Sequence, residues 1–586
     1  MSDFTPTILL DSCAEGDFGR SWRFSGHVTT LRAMTPEEVQ PVLAEAETAT
    51  EQGLYVVGFV AYEAASALNP HLPALPPRPG LPLAWFALFR ERHAAVAGSE
   101  PPHGEGPELS LAATLDQSAY TDTVQRIHAA IARGESYQIN HTFPLQGRFD
   151  GDPLHLYRQL LQSQRPAFGA YLDTGSHTII SASPELFFEL LDGIVVTRPM
   201  KGTAPRGRFS DEDRTLAREL CRSPKERAEN LMIVDLLRND LGQVARTGTV
   251  QTELLFACES YPTVHQMTST ITAHLKNGCG LVELFRALFP CGSVTGAPKR
   301  RSMEIIASLE QQPRGVYCGA IGHLAPGNEA AFSVAIRTLL LEKENGSISM
   351  GVGSGITWDA QPSAEYAECL AKAAFLTTAP AQRLLESLLL ENGRYPLLDR
   401  HLDRLCWSAS RLGHHCDRAV IRNALLAHGD GRFGRYKARL LLSADGTVQI
   451  DSVPLEPLAQ PLRLAMDRQA VEPDDLSLFL KTDQRQRYEE ARQRHPEADE
   501  VLLRNNCGEL TEGSFTNLVL KLDGRLVTPP LACGLLPGVM REEELRQGVI
   551  AEQVLYPADL EKAEEIWLIN AVRGWLRGVL MEGVES

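Results

Sequence analysis

Four short apolar runs stand in series, Ala170–Leu172, Thr178–Ala182, Leu186–Leu190 and Ile194–Thr197, each cut from the next by turn-forming or polar residues. Runs of this length and composition, punctuated in this way, predict strands. Helical periods fall between groups of such runs rather than after every one, at Tyr120–Arg133, His155–Gln164 and Pro224–Asp240. Strands in series with helices inserted between groups predict an α+β fold and argue against regular βαβ alternation.

The last of these runs leads into Thr197-Arg-Pro-Met-Lys-Gly-Thr-Ala-Pro-Arg206, where two prolines and a glycine predict a rigid turn ending the strand. A lysine between Arg198 and Arg206 should have a lowered pKa, because neighbouring positive charge disfavours its protonated form. Facing a cleft, Lys201 would be an amine nucleophile; facing solvent, an ordinary surface charge.

Two glutamate pairs repeat one device. Glu226 and Glu229 lie three residues apart on a helix opened by Pro224, with Leu231, Val234, Leu237 and Leu241 as its apolar stripe. Glu365 and Glu368 repeat the spacing after Gly351-Val-Gly-Ser-Gly-Ile-Thr357, read as a glycine-rich turn. Each pair alone is a solvated helix face. Converging, the two would offer a hard cation the oxygen ligands it needs, and the glycine-rich stretch would offer backbone N–H groups to an anion.

At 586 residues the chain exceeds one ordinary core, and about two to four domains are expected. Its 43% hydrophobic and 22% charged residues read as globular, and no run approaches the roughly eighteen apolar residues of a membrane span. A formal charge of −17 argues against nucleic-acid binding as the main task. The eleven cysteines include no Cys-x-x-Cys pair, and the first residues lack a signal-peptide pattern; reduced thiols, no zinc site and a cytoplasmic location are expected. Asn69–Pro82 and Gly98–Glu108 are expected loops.

Ser183-Pro-Glu185, Ala228–Asp240, Gly292-Ser-Val-Thr-Gly-Ala-Pro-Lys299 and Ala364-Glu-Tyr-Ala-Glu368, in this order, resemble the chorismate-utilising enzymes, strongly over 115–378 and more loosely before that. The resemblance implies that Glu229 and Glu368 bind Mg²⁺, with Glu226 and Glu365 as further ligands or supports. It makes Glu185 the general acid for the departing hydroxyl. Tyr317, Arg337 and amides around Gly353 would clamp the enolpyruvyl carboxylate, and His265 and Thr295 would line the ring pocket. Isochorismate-forming members carry a lysine base where this chain has Gln138. Pro-Met-Lys-Gly-Thr resembles the aminodeoxychorismate synthase branch, with Met200 in place of the usual isoleucine, whereas anthranilate synthases resemble Pro-Ile-Ala-Gly-Thr. Lys201 attacking C2 would force ammonia to C4 and give the para series. No glutaminase nucleophile turn is present, so the resemblance implies free ammonia or a partner amidotransferase subunit.

After an expected linker at 379–383, a second unit spans 384–586. Phe479-Leu-Lys-Thr-Asp483, Leu510–Leu518 and Leu535–Arg541 resemble the fold-type IV pyridoxal 5'-phosphate enzymes, which include aminotransferases and aminodeoxychorismate lyase. Lys481 would bind the cofactor covalently and Glu512 would pair with its ring nitrogen. Arg404, with Thr516, Val539 and Met540, would hold its phosphate. A homodimer through this unit fits the resemblance. The implied task of the whole is 4-aminobenzoate synthesis for folate. The alternatives are an anthranilate synthase-type first domain and a second domain acting as an aminotransferase or a docking module.

Overall fold

In this computed structural model the described residues are 4–13, 20–97, 109–373, 376 and 382–581. The expected loop at Gly98–Glu108 lies outside them, as do 379–381 of the expected linker. The chain divides into two compact units, one of Met1–Pro205 with Ala217–Ala379, the other of Arg206–Leu216 with Pro380–Ser586.

In the first unit, single strands divide their side chains between two cores. Along Ala84–Ala94, Trp85, Ala87 and Phe89 enter one cluster while Ala84, Phe86 and Leu88 enter another. Along His177–Ser183, Ile179 joins the cluster of Trp85, and Ile180 joins a third. Successive strand side chains point to opposite faces, so two sheet layers must enclose the Trp85 cluster. The outer clusters are covered by helices: Val39 and Leu43 of Pro36–Glu51 with Val234 and Leu237 on one side, Tyr120, Val124 and Ile127 of Gln117–Ala132 on the other. The result is a four-layer α+β unit, helix–sheet–sheet–helix.

Most expected elements are present within a residue or two. The helix Pro224–Val244 starts under a Ser223 cap that accepts from Glu226 N, with Pro224 in its first turn. Its apolar stripe differs at one position: Leu231 is 43% exposed, and Ile233 is buried instead.

Two expected turns are strands. Thr197–Pro205 does not end a strand; Ile194–Arg198 and Met200–Pro205 both pair with Val264–His274, and the register slips between Met200 and Thr203. Gly202 there has φ 95, a conformation open to glycine and strained for other residues, and it makes the slip a bulge. The glycine-rich Gly351–Ile356 belongs to the strand Ser347–Ile356, paired residue for residue with Gln138–Arg148. Its glycines reflect close approach rather than turning: a Cβ at Gly351 would stand 2.0 Å from the Tyr317 ring.

The second unit has a three-stranded sheet, which includes Leu384–Glu391 and Arg435–Leu442, packed under helices Leu398–Leu412 and Arg418–Gly429. It also has an eight-stranded sheet that carries Leu510–Gly513 and Asn517–Leu522. Arg206–Leu216, expected in the first domain, pack in this unit. Arg206 forms a buried pair with Asp213 at 2.8 Å, Trp407 Nε1 donates to Asp213 at 3.4 Å, and the Phe209 and Phe479 rings lie 5.8 Å apart. The run before Lys481 forms a 3-10 turn at Leu476–Leu478.

Candidate functional site

The bulge at Gly202 sets Lys201 inside the first unit. Asn230 Nδ2, from the glutamate helix, donates to the Lys201 carbonyl at 3.1 Å, and Ser269 Oγ fixes the Asn230 amide at 2.6 Å. Facing Lys201 is the glycine strand. A Cβ at Gly355 would lie 2.7 Å from Lys201 Nζ and 2.0 Å from Gln138 Nε2, so only a bare backbone leaves room for both side chains.

Burial lowers the Lys201 pKa; Lys372 lowers it further, while Glu229, Glu185 and Glu368 pull it up. The expected cause, Arg198 and Arg206, is displaced. Arg198 is paired with Glu259, and Arg206 belongs to the other unit. Glu185 is 3% exposed, and burial pushes its carboxyl up to about 7, with Ser293 and Lys201 opposing. Its Oε1 has no hydrogen-bond partner. A half-buried lysine biased towards the free amine thus stands near a carboxyl biased towards the acid, the combination suited to nucleophilic attack with protonation of a leaving group.

Glu226, Glu229 and Glu368 fall within electrostatic reach of one another and of Lys201, and Glu365 within reach of Glu226 and Glu368. Burial raises Glu226, Glu229 and Glu365, and the neighbouring carboxylates add to it. Burial alone would raise Glu368 too, but Lys372, 2.8 Å away, holds it low. Mutually repelling carboxylates from two helices form an all-oxygen donor set that suits a hard cation. Among the described residues no group of three His, Cys, Asp or Glu is yet gathered as a coordination shell, and Lys372 occupies one member. The donor chemistry fits Mg²⁺, provided that Lys372 moves aside.

The remaining predicted residues are distributed as follows. Thr142 N donates to Glu310 and Asn140 N to Thr295 O, so neither residue bonds to its opposite glycine in the ladder. In an antiparallel pair this leaves the amides of Gly353 and Gly355 turned away from Gln138–Arg148, as a clamp for an anion requires, although on a strand. Lys372 Nζ takes the Gly353 carbonyl at 3.0 Å. Arg337 holds φ 50, and burial lowers its pKa. The Tyr317 ring packs on Gly351. His265 is buried, with Nδ1 2.9 Å from Ser260 Oγ, and the Thr295 hydroxyl donates to Cys291 O at 3.2 Å. The hydroxyl of Thr295 is therefore satisfied by backbone rather than free for a ligand. Sequence reasoning missed Asn230, Ser293 and Lys372. Only Lys372 left a signal, its four-residue spacing from Glu368.

In the second unit a cavity of about 630 Å³ is lined by Lys481, Glu512, Arg404, Thr516, Val539 and Met540. Burial and the Arg404 charge bring Lys481 down to about 7. Burial pushes Glu512 up to about 7 against the hydrogen bond from Tyr488 Oη at 2.7 Å. Arg404 reaches Glu386 Oε2 at 2.6 Å and Pro537 O at 3.0 Å, just before the helix Val539–Arg546 begins. Burial would raise Glu386, but Arg404 and His401 hold it well below the carboxylate range. The Thr516 hydroxyl is taken by Glu500 at 2.8 Å. A lysine able to be neutral, a carboxyl able to meet a ring nitrogen, and an arginine beside a helix amino end fit pyridoxal phosphate.

Lys437, Arg439, Arg485 and Arg573 are four of the five further cations that line the same cavity, with Arg492 the fifth. Burial lowers Lys437, and the other three, led by Arg485, lower it further. Among the described residues none of the four has a carboxylate at ion-pair distance; Arg485 instead bonds Ser514 O and Arg573 bonds Glu456 O.

A family described as chorismate binding enzyme matches residues 5–378, and one described as amino-transferase class IV matches 383–579. Aminodeoxychorismate synthase of Streptomyces griseus is 40% identical over 309 residues, 52% of this chain and 42% of that protein. Aminodeoxychorismate synthase component 1 of Klebsiella aerogenes is 41% identical over 260 residues, 44% of this chain and 57% of the relative. The chain spans about half the length of these curated relatives. Anthranilate synthase component I from Streptococcus pneumoniae TIGR4 aligns with TM-score 0.54 and 25% identity, over 62% of this chain and 94% of that one. With a match running from residue 5 to residue 378 of 586, the chain belongs to the chorismate binding enzyme family, and it continues into a class IV aminotransferase region.

Proposed function

We propose that the chain makes 4-aminobenzoate from chorismate and ammonia in two steps. The observation that carries the first step is a half-buried Lys201 within electrostatic reach of Glu185, Glu229 and Glu368. Lys201 Nζ attacks C2 of chorismate, the ring double bond shifts, and the C4 hydroxyl leaves as water with the proton of Glu185. Ammonia then enters at C4 and expels the lysine, giving 4-amino-4-deoxychorismate. Glu229 and Glu368, supported by Glu226 and Glu365, hold Mg²⁺, which when bound orients the ring carboxylate and draws charge from the ring. Arg337, Tyr317 and the Gly353 amide hold the enolpyruvyl carboxylate, while His265 and Thr295 wall the ring pocket. The relative's designation as component 1 supports a separate ammonia-supplying subunit.

In the second step Arg404, with the backbone at Thr516, Val539 and Met540, holds the phosphate of pyridoxal phosphate, and Glu512 faces its ring nitrogen. The cofactor, when bound, supplies an electron sink for a carbon bearing the amine. Lys481 takes the proton from that carbon, the enolpyruvyl group departs as pyruvate, and the ring aromatises. The unpaired Lys437, Arg439, Arg485 and Arg573 favour a substrate carrying two carboxylates over a neutral amino acid, which supports the lyase reading over a general aminotransferase.

The test is product identification from chorismate and ammonium salts. Aminodeoxychorismate is expected without pyridoxal phosphate and 4-aminobenzoate with it, and glutamine should serve only with an added glutaminase subunit. An ortho-aminobenzoate product would assign the first step to anthranilate synthesis instead.

A further inference from the structure

The helix Leu398–Leu412 carries Arg404 and, two residues on, Cys406. It ends at Gly413 with φ 68, which turns the chain back on itself. Cys416, immediately before the Asp417 cap of the helix Arg418–Gly429, thereby returns to Cys406, and the two sulfurs stand 3.2 Å apart. A disulfide needs about 2.0 Å, so closure takes little more than about 1 Å of side-chain movement. Both cysteines are half-buried and within reach of a small reagent. Among the described residues no other two cysteines are in hydrogen-bond contact.

The pair is also electrostatically unequal. Arg418 stands beside it, held by Asp403 at 2.6 Å and Asp399 at 3.2 Å. The hydrogen bond shared with Cys416 and then the Arg418 charge lower the Cys406 thiol, while the same contact pushes Cys416 up. The two thiols therefore differ in acidity, the asymmetry that thiol–disulfide exchange uses.

We propose that Cys406 and Cys416 form a reversible disulfide modification site, oxidised by low-molecular-weight disulfides. The Cys406 thiolate attacks one sulfur of the oxidant and expels a thiolate. Cys416 gives up its proton, attacks the Cys406 sulfur of the mixed disulfide, and expels the second. Two thiols lose two protons and two electrons, and the oxidant becomes two thiols. The bond closes the Gly413 turn and fastens the helix that bears Arg404 to the start of the next helix. The inference does not depend on which reaction the second unit performs.

The full-length holoenzyme is equilibrated in glutathione disulfide buffers, alkylated and mapped by mass spectrometry, beside Cys406→Ser and Cys416→Ser. Expected are a linked 406–416 peptide that dithiothreitol reverses, its loss in both variants, and glutathione retained on Cys406 in Cys416→Ser. The thermal midpoint of the oxidised second unit should rise by about 5 °C. Full alkylation of Cys406 and Cys416 after oxidation, or a bond to other partners, overturns the site. A 406–416 bond that leaves the midpoint unmoved overturns the fastening.

Discussion

Replacing Gly355 by alanine tests how closely the glycine strand positions the reactive lysine. The backbone is permissive, since Gly355 is not among the residues with positive φ. The obstacle is space: the new Cβ would lie 2.7 Å from Lys201 Nζ, whereas such contacts are tight below 3.4 Å and essentially absent below 3.0 Å, so the amine must retreat by about 0.3–0.7 Å. Gln138 Nε2, at 2.0 Å, must move further. A displacement of about 1 Å at a reacting atom is worth about 10²-fold in rate, so a loss of about 10- to 100-fold in the first step is expected. The assay compares aminodeoxychorismate formation from chorismate and ammonium with the conversion of supplied aminodeoxychorismate to 4-aminobenzoate by the same preparation. The second rate should be unchanged, which shows that the second unit is intact, and an unchanged circular dichroism spectrum shows that the first unit is folded. A first-step rate within about twofold of the parent would refute the close approach.

Lys481→Ala should lose the visible absorbance of bound pyridoxal phosphate and accumulate aminodeoxychorismate, which an added lyase converts to 4-aminobenzoate; unchanged 4-aminobenzoate release by the variant would remove Lys481 from the chemistry. Glu229→Gln and Glu368→Gln should each abolish aminodeoxychorismate formation without unfolding, because a hard cation loses an anionic ligand; full activity at ordinary Mg²⁺ in either variant would take that residue out of the metal site. The first step should slow as pH rises through about 7, since Glu185 must be protonated to act as the acid and its carboxyl is pushed up to about 7. An alkaline limb unchanged in Glu185→Gln would assign that limb to another group.

The strand series and the helices were legible because period and punctuation are local properties. The four-layer arrangement was not. A run such as Ala84–Phe89 is apolar on both faces, and nothing in it says which side chains enter which core. The glycines misled in an instructive way. At Gly202 and Gly351–Gly355 they were read as turns, yet both stretches are strands, in one case through a bulge and in the other through close packing. The glutamate spacing leaves the two pairs within electrostatic reach of each other but not gathered as a coordination shell, and the cause of the Lys201 shift was misjudged. Charges near in sequence, Arg198 and Arg206, are drawn off by Glu259 and Asp213, and burial, which sequence does not show, is what acts. The unpaired cations of the second cavity come from three separated stretches and carry no local signature.

The central claim is that Lys201 is a nucleophile. Incubating the protein with chorismate and Mg²⁺ but no ammonia, followed by denaturation and peptide mapping, tests it most directly. The account predicts a peptide containing Lys201 that is heavier by one chorismate less one water, absent in Lys201→Ala and discharged when ammonia is added before quenching. An unmodified Lys201, together with parental rates of aminodeoxychorismate formation in Lys201→Ala, would contradict it.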